Sequence, residues 1–173
     1  DVYKRQHYGS AAAVEQVFTD FTDRIIDGGT LVLCADDPGA AALGERTSGT
    51  LAARGVRTIS YGFSEQADLQ LQTTTGPAGQ QLRLRWDGQR SVIELKVPGA
   101  HNALNAAAAV VVGLRTGLSL EAAAAGLGAF TGSSRRFELR GETGGIRVYD
   151  DYAHHPTEVS ACLLYTSDAA DDS

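Results

Sequence analysis

The sequence predicts an α/β fold, a parallel-type sheet with covering helices joined to a small antiparallel three-stranded meander. Three observations lead there. Helix-spaced segments alternate with short apolar runs from Ser10 to Tyr61, the pattern of a layered sheet. Between Asp68 and Val97 the pattern changes to polar–apolar alternation, broken at Gly76-Pro77 and Asp87-Gly88. That is how antiparallel strands with one wet face read. Ala-rich helical segments follow, then a Gly-Ser stretch and a hairpin-like pair.

Each element has its own signal. Apolar residues recur at Ala13, Val17, Phe18, Phe21, Ile25 and Ile26, which is helical spacing; Ser10 is the candidate N-cap and Gly28-Gly29 the stop. Thr30 to Ala35 is a continuous apolar run, as expected of a buried parallel strand. Asp36-Asp37-Pro38-Gly39 turns into a second helix that ends before Gly55, and Arg57 to Tyr61 gives a short strand. The meander strands are Asp68 to Thr74, Gln81 to Trp86 and Ser91 to Val97. Helices are expected over Asn102 to Leu114 and Leu118 to Phe130, the second capped by Ser119. Gly132-Ser133-Ser134 is the best domain boundary. Beyond it, Phe137 to Arg140 and Ile146 to Tyr149 pair around Gly144-Gly145.

Composition narrows the function. The chain has 173 residues and is 43% hydrophobic, enough for a buried core without staples. A net charge of −6 and no basic run longer than Arg135-Arg136 argue against a nucleic-acid partner. Cys34 and Cys162 follow no ligand pattern, which fits a reducing cytoplasm. Neither a long apolar span nor a charged-then-apolar leader is present, so a membrane partner is not expected. Methionine is absent, and Lys occurs only at Lys4 and Lys96. Residues 1–6 and 162–173 break the Ala-, Gly- and Arg-rich style of the rest and are expected to be a non-native leader and tail.

Three segments are chemically dense. Asp150-Asp151-Tyr152-Ala153-His154-His155-Pro156-Thr157-Glu158 follows a strand, where open α/β folds place ligands. Gly99-Ala100-His101-Asn102-Ala103-Leu104-Asn105 opens a helix, and the spacing of Asn102 and Asn105 puts both amides on one face. An amide offers donor and acceptor together, which suits the edge of adenine; helix capping by Asn102 and a core-edge hydrogen bond from Asn105 are the plainer roles. Ser134-Arg135-Arg136-Phe137-Glu138 lies at the expected boundary, where a solvated arginine needs no function. His154-His155 does not read as a metal site, because adjacent histidines rarely share one ion and no Cys or acid stands at ligand spacing.

In this order and spacing the three segments resemble the Mur ligases of bacterial cell-wall synthesis, over roughly residues 7 to 161. The resemblance implies the rear of a central ATP-binding domain over residues 7–133, then the start of a Rossmann-like C-terminal, amino-acid-binding domain over 134–161. It implies a cytoplasmic ATP-dependent amide-forming ligase of peptidoglycan precursor synthesis, with UDP-N-acetylmuramate, L-alanine and ATP as substrates and an acyl phosphate between them. Asn102, Asn105 and Asp151 would then hold ATP. For His101 two roles stand equal, stacking beside the base or filling the turn. Arg136 would be catalytic, because phosphoryl transfer needs charge neutralisation that a hinge guanidinium supplies on domain closure. Tyr152 and His154 would stand near the incoming amino acid. The sequence has no Gly-x-x-x-x-Gly-Lys-Ser/Thr loop, so that loop and the Mg2+ ligands of the family are expected outside this segment. Two alternatives remain: a tripeptide-recycling UDP-N-acetylmuramate ligase, and a non-catalytic nucleotide-binding module.

Overall fold

The structure is a computed structural model, and it describes residues 8–76, 79–97, 99–154, 156, 158–160 and 163. The expected leader, the expected tail apart from Leu163, and His155 therefore lie outside the described residues.

Helix α1 (Ala11–Asp23) starts as expected, with the Ser10 hydroxyl accepting from the Ala13 N–H. Strand β1 (Thr30–Cys34) leads into α2 (Pro38–Ala53), where the Asp37 carboxylate caps the Ala40 N–H and Pro38 occupies the first turn. Then come β2 (Arg57–Gly62), β3 (Leu69–Gly76), β4 (Gly79–Trp86) and β5 (Gln89–Leu95). Helices α3 (Ala100–Arg115) and α4 (Leu120–Gly128) follow, α4 capped by Ser119 through the Ala122 N–H. Strands β6 (Glu138–Thr143) and β7 (Ile146–Asp150) complete the order.

The meander is not a separate sheet. Strands β1 to β5 form one five-stranded sheet in sequence order. β1 and β2 pair in parallel from Thr30↔Arg57 to Cys34↔Tyr61. β2 then meets β3 in parallel only at Tyr61↔Leu69 and Gly62↔Gln70, after which β3, β4 and β5 run antiparallel. This short parallel contact is what joins the two patterns read from the sequence.

The core lies on one face of that sheet. Alternate residues Leu69, Leu71, Leu82, Leu84, Ile93 and Leu95 meet Ala103, Ala107, Val110 and Val111 of α3 and Leu120 of α4. The alanines let the helix backbone approach the sheet closely. Each fully buried leucine, such as Leu69 or Leu82, contributes roughly 1.5–3 kcal/mol. A smaller cluster of Leu31, Leu51 and Val56 packs with Ile25 and Leu33. Val32 packs against the main core instead, so β1 alternates between two covered faces. The expectation of a fully buried β1 needs correcting. Its one strand neighbour among the described residues is β2, and only Leu31 in it is buried.

Beyond α4 the chain runs through residues 130–137 to an antiparallel hairpin of β6 and β7, a two-stranded sheet of its own. Its turn is Gly144-Gly145, both with positive φ (57° and 80°), the geometry that matches the twist of a hairpin. A register shift between Leu139 and Gly141 bends β6.

Candidate functional site

The first predicted group stands at the start of α3. The helix begins at Ala100, two residues before the expected Asn102, so Asn102 is a first-turn residue and not the N-cap. The N-cap is Gly99, with φ 103° and no side-chain cap hydrogen bond; its carbonyl accepts from the N–H groups of Asn102 and Ala103. The His101 ring folds back over Gly99, so that a Cβ there would stand 2.8 Å from His101 Cε1. Turn-filling is thus a role that His101 performs in the structure. Asn102 is half-buried and Asn105 exposed, on a helix whose opposite face is buried at Ala103, Ala106 and Ala107. Among the described residues Asn105 keeps its amide without a hydrogen-bond partner.

The second group forms where the linker meets the loop after β7. Arg135 and Phe137 both adopt left-handed backbone, with φ 59° and 50°, which non-glycine residues rarely do without support. The support is local. The Asp151 carboxylate accepts from the Phe137 N–H at 2.9 Å and from the Ala153 N–H at 2.7 Å. The Tyr152 N–H donates to the Arg135 carbonyl at 2.8 Å, and the Arg135 guanidinium lies 5.0 Å from the centre of the Tyr152 ring. Phe137 stacks on Tyr149 with centroids 4.4 Å apart.

Charges fill the rest of this junction. Glu138 accepts from the Arg135 N–H, the Ser134 hydroxyl and the Arg140 guanidinium. The Arg135 backbone donor, foremost among these, holds the Glu138 carboxyl below the usual carboxylate range. Asp150 is 3.8 Å from Arg135. Glu158 lies 4.0 Å from Arg136 and 3.8 Å from the His154 Nδ1, and accepts from the His154 N–H. His154 Nδ1 is also 3.0 Å from the Tyr152 carbonyl, and the two rings are 5.2 Å apart.

The structure therefore brings Arg136, Asp151, Tyr152 and His154 together, as parts of one linker–loop junction. His101, Asn102 and Asn105 form a separate group on α3. The cleft beside the hairpin, about 540 Å³, takes Arg136, Phe137 and Tyr149 on one side and Lys96 and Val97 on the other, with no wall from α3. Sequence reading gave no role to Glu158, Arg135 or Glu138. The spacing of four between His154 and Glu158 was the available signal for the first. Among the described residues no cluster of three or more His, Cys, Asp or Glu side chains could hold a metal ion.

Comparison with known proteins fits this layout. The Mur ligase middle domain matches residues 5–113, and the Mur ligase glutamate ligase domain matches residues 135–171. A UDP-N-acetylmuramate–L-alanine ligase of Arthrobacter sp. (strain FB24) is 48% identical over 167 residues, 96% of this chain and 34% of that protein. The chain spans about a third of the length of the curated relatives it matches. Among solved structures, the UDP-N-acetylmuramate–alanine ligase of Thermotoga maritima superposes with a TM-score of 0.70 at 27% identity, covering 94% of this chain and 35% of that one. The MurF ligase of Acinetobacter baumannii gives a TM-score of 0.75 at 25% identity, covering 91% of this chain and 34% of that one. One family domain thus takes in the sheet and all but the end of α3, a second takes in the hairpin and the loop that closes on it, and the chain belongs to the Mur ligase family.

Proposed function

We propose that this chain is the rear of the central domain (7–133) and the start of the C-terminal domain (134–161) of a cytoplasmic ATP-dependent ligase. The ligase joins L-alanine to the lactyl carboxylate of UDP-N-acetylmuramate in peptidoglycan precursor synthesis. The observation that carries the reading is the 48% identity, over nearly the whole chain, to a protein named for that reaction.

The residues fit the chemistry. ATP gives its terminal phosphoryl group to the carboxylate, leaving ADP and an acyl phosphate; the alanine amine then attacks the acyl carbon, forms the amide and expels inorganic phosphate. Asn102 and Asn105 offer amides on one face of α3 for the nucleotide, with His101 beside them. Asp151 has lone pairs left for ribose hydroxyls after its two backbone bonds. Arg136 is exposed at the linker, where closure of the two domains would carry its guanidinium to the phosphoryl group. Tyr152 and His154 flank the same junction and would face the amino acid. Among the described residues no group of three or more His, Cys, Asp or Glu side chains could hold magnesium, and the ligands of that ion would lie outside this segment.

The test uses the full-length enzyme that contains this segment, supplied with UDP-N-acetylmuramate, ATP and magnesium. L-alanine should drive phosphate release. Arg136→Ala should lower turnover by on the order of a hundredfold or more, the effect of losing a preorganised donor worth roughly 2.7–4 kcal/mol. Arg136→Lys should rescue it partly, since a point charge lacks the bidentate fork. Asn105→Ala should instead raise the KM for ATP. Phosphate release driven by the tripeptide L-Ala-γ-D-Glu-meso-diaminopimelate and not by L-alanine would overturn the substrate assignment. Unchanged turnover in a folded Arg136→Ala enzyme would overturn the role of the arginine.

A further inference from the structure

The face of β3–β5 opposite the core is unusually rich in cations for a chain of net charge −6. The alternation that sends Leu71, Leu82, Leu84 and Ile93 inward sends Gln70, Gln72, Gln81, Arg83, Arg85 and Arg90 outward, around a shallow groove of about 650 Å³. In the β4–β5 register Arg85 stands directly opposite Arg90, and Arg83 opposite Val92. Like charges directly opposite each other across a strand pair are destabilising. Among the described residues none of the three arginines has an ion-pair partner within 4.0 Å. The acid on the same face, Glu94, accepts from the Gln81 amide instead. Val92, 56% exposed, places an apolar spot within the cationic field.

We infer that this face is a docking surface for an acidic protein segment. Its chemistry is specific to that class. Guanidinium forks take carboxylates bidentately, and glutamine amides between them add neutral donors and acceptors. Val92 gives an apolar side chain of the partner a foothold. Nucleic acid fits worse, because no aromatic ring lies in the groove to stack a base and the chain as a whole repels a long polyanion. A short acidic segment feels mainly the patch, since charges beyond about 8 Å are screened at physiological salt. The surface is remote from the linker junction in sequence and does not depend on the ligase reading.

The experiment measures fluorescence anisotropy of a labelled peptide of Glu residues with interspersed Leu, titrated with the full chain at physiological salt. Saturable binding is expected. It should weaken by roughly tenfold or more when Arg83, Arg85 and Arg90 are all changed to Glu, which removes three attractive contacts and sets like charge against the peptide. The control variant Arg24→Glu/Arg57→Glu/Arg147→Glu, with the same change in net charge, should bind as the parent does. A Gln triple at positions 83, 85 and 90 serves should the Glu triple fail to fold, with folding followed by circular dichroism. No saturable binding overturns the inference. So does equal weakening in the control variant, or equally tight binding of duplex DNA or of the same peptide with Gln for Glu.

Discussion

Asp151 joins two roles in one carboxylate. Its Oδ2 accepts from the Phe137 N–H and its Oδ1 from the Ala153 N–H, so the acid ties the linker to the loop after β7 before any ligand arrives. Removing it leaves both main-chain donors without that acceptor, at a cost of about 1–3 kcal/mol for a buried group and less where water reaches in. Asp151→Ala should therefore speed hydrogen exchange at the Phe137 and Ala153 amides by about tenfold, the equivalent of 1.4 kcal/mol. Asp151→Asn, which keeps one carbonyl acceptor, should protect one of the two. If neither amide changed, Asp151 would not be what holds the Phe137 backbone in its left-handed conformation. At this scale the sequence was legible where residue type itself is informative. The run around Asp151, Tyr152 and His154 is chemically dense by composition alone, and the structure brings these side chains together. That Glu158 would turn to both His154 and Arg136 was not legible, because an acid four residues on equally suits an exposed helical turn.

At the scale of elements, Gly99 shows how a backbone requirement shapes the start of α3. Its φ of 103° is open to glycine and strained for other residues, and the space a Cβ needs is filled by the His101 ring. Gly99→Ala should thus cost about 1–3 kcal/mol and expel the imidazole from the turn. A thermal melt gives the first quantity, and the NMR shifts of the His101 ring give the second. A variant that melts like the parent with unmoved ring signals would show that the helix can begin without this glycine. Helix starts with a capping side chain were readable beforehand, as Ser10 and Ser119 both act where expected. The start of α3 was placed two residues late because glycine carries no side chain to announce a cap. The strands of the meander were legible from alternation. Their union with β1 and β2 was not, since it rests on just two residue pairs whose partners lie on either side of a loop.

The whole molecule divides its stability unevenly. Nearly all the buried apolar residues belong to the five-stranded sheet and to α2, α3 and α4, whereas β6 and β7 are exposed along most of their length. A two-stranded hairpin is marginal in water by itself, and here it is tied mainly to its own linker and loop. This separation follows from numbers that sequence periodicity cannot supply: Leu82 and Leu139 both sit in strand patterns, yet Leu82 is 0% exposed and Leu139 51%. Leu82→Ala should cost about 2–5 kcal/mol, the transfer of the lost methyl groups plus the cavity they leave. Leu139→Ala should stay within about 0.5 kcal/mol, as for other surface positions. Urea denaturation followed by the fluorescence of Trp86, the single tryptophan, reads the large sheet in both variants because that ring packs against its core. Native-state hydrogen exchange should place the β6–β7 amides well below those of β3–β5 in protection, since a weakly packed hairpin can open without the sheet. If Leu139→Ala shifted the Trp86 transition as far as Leu82→Ala, or if the hairpin amides exchanged only with global unfolding, the hairpin would have to share the core of the sheet, and a domain boundary at Gly132-Ser133-Ser134 would be untenable.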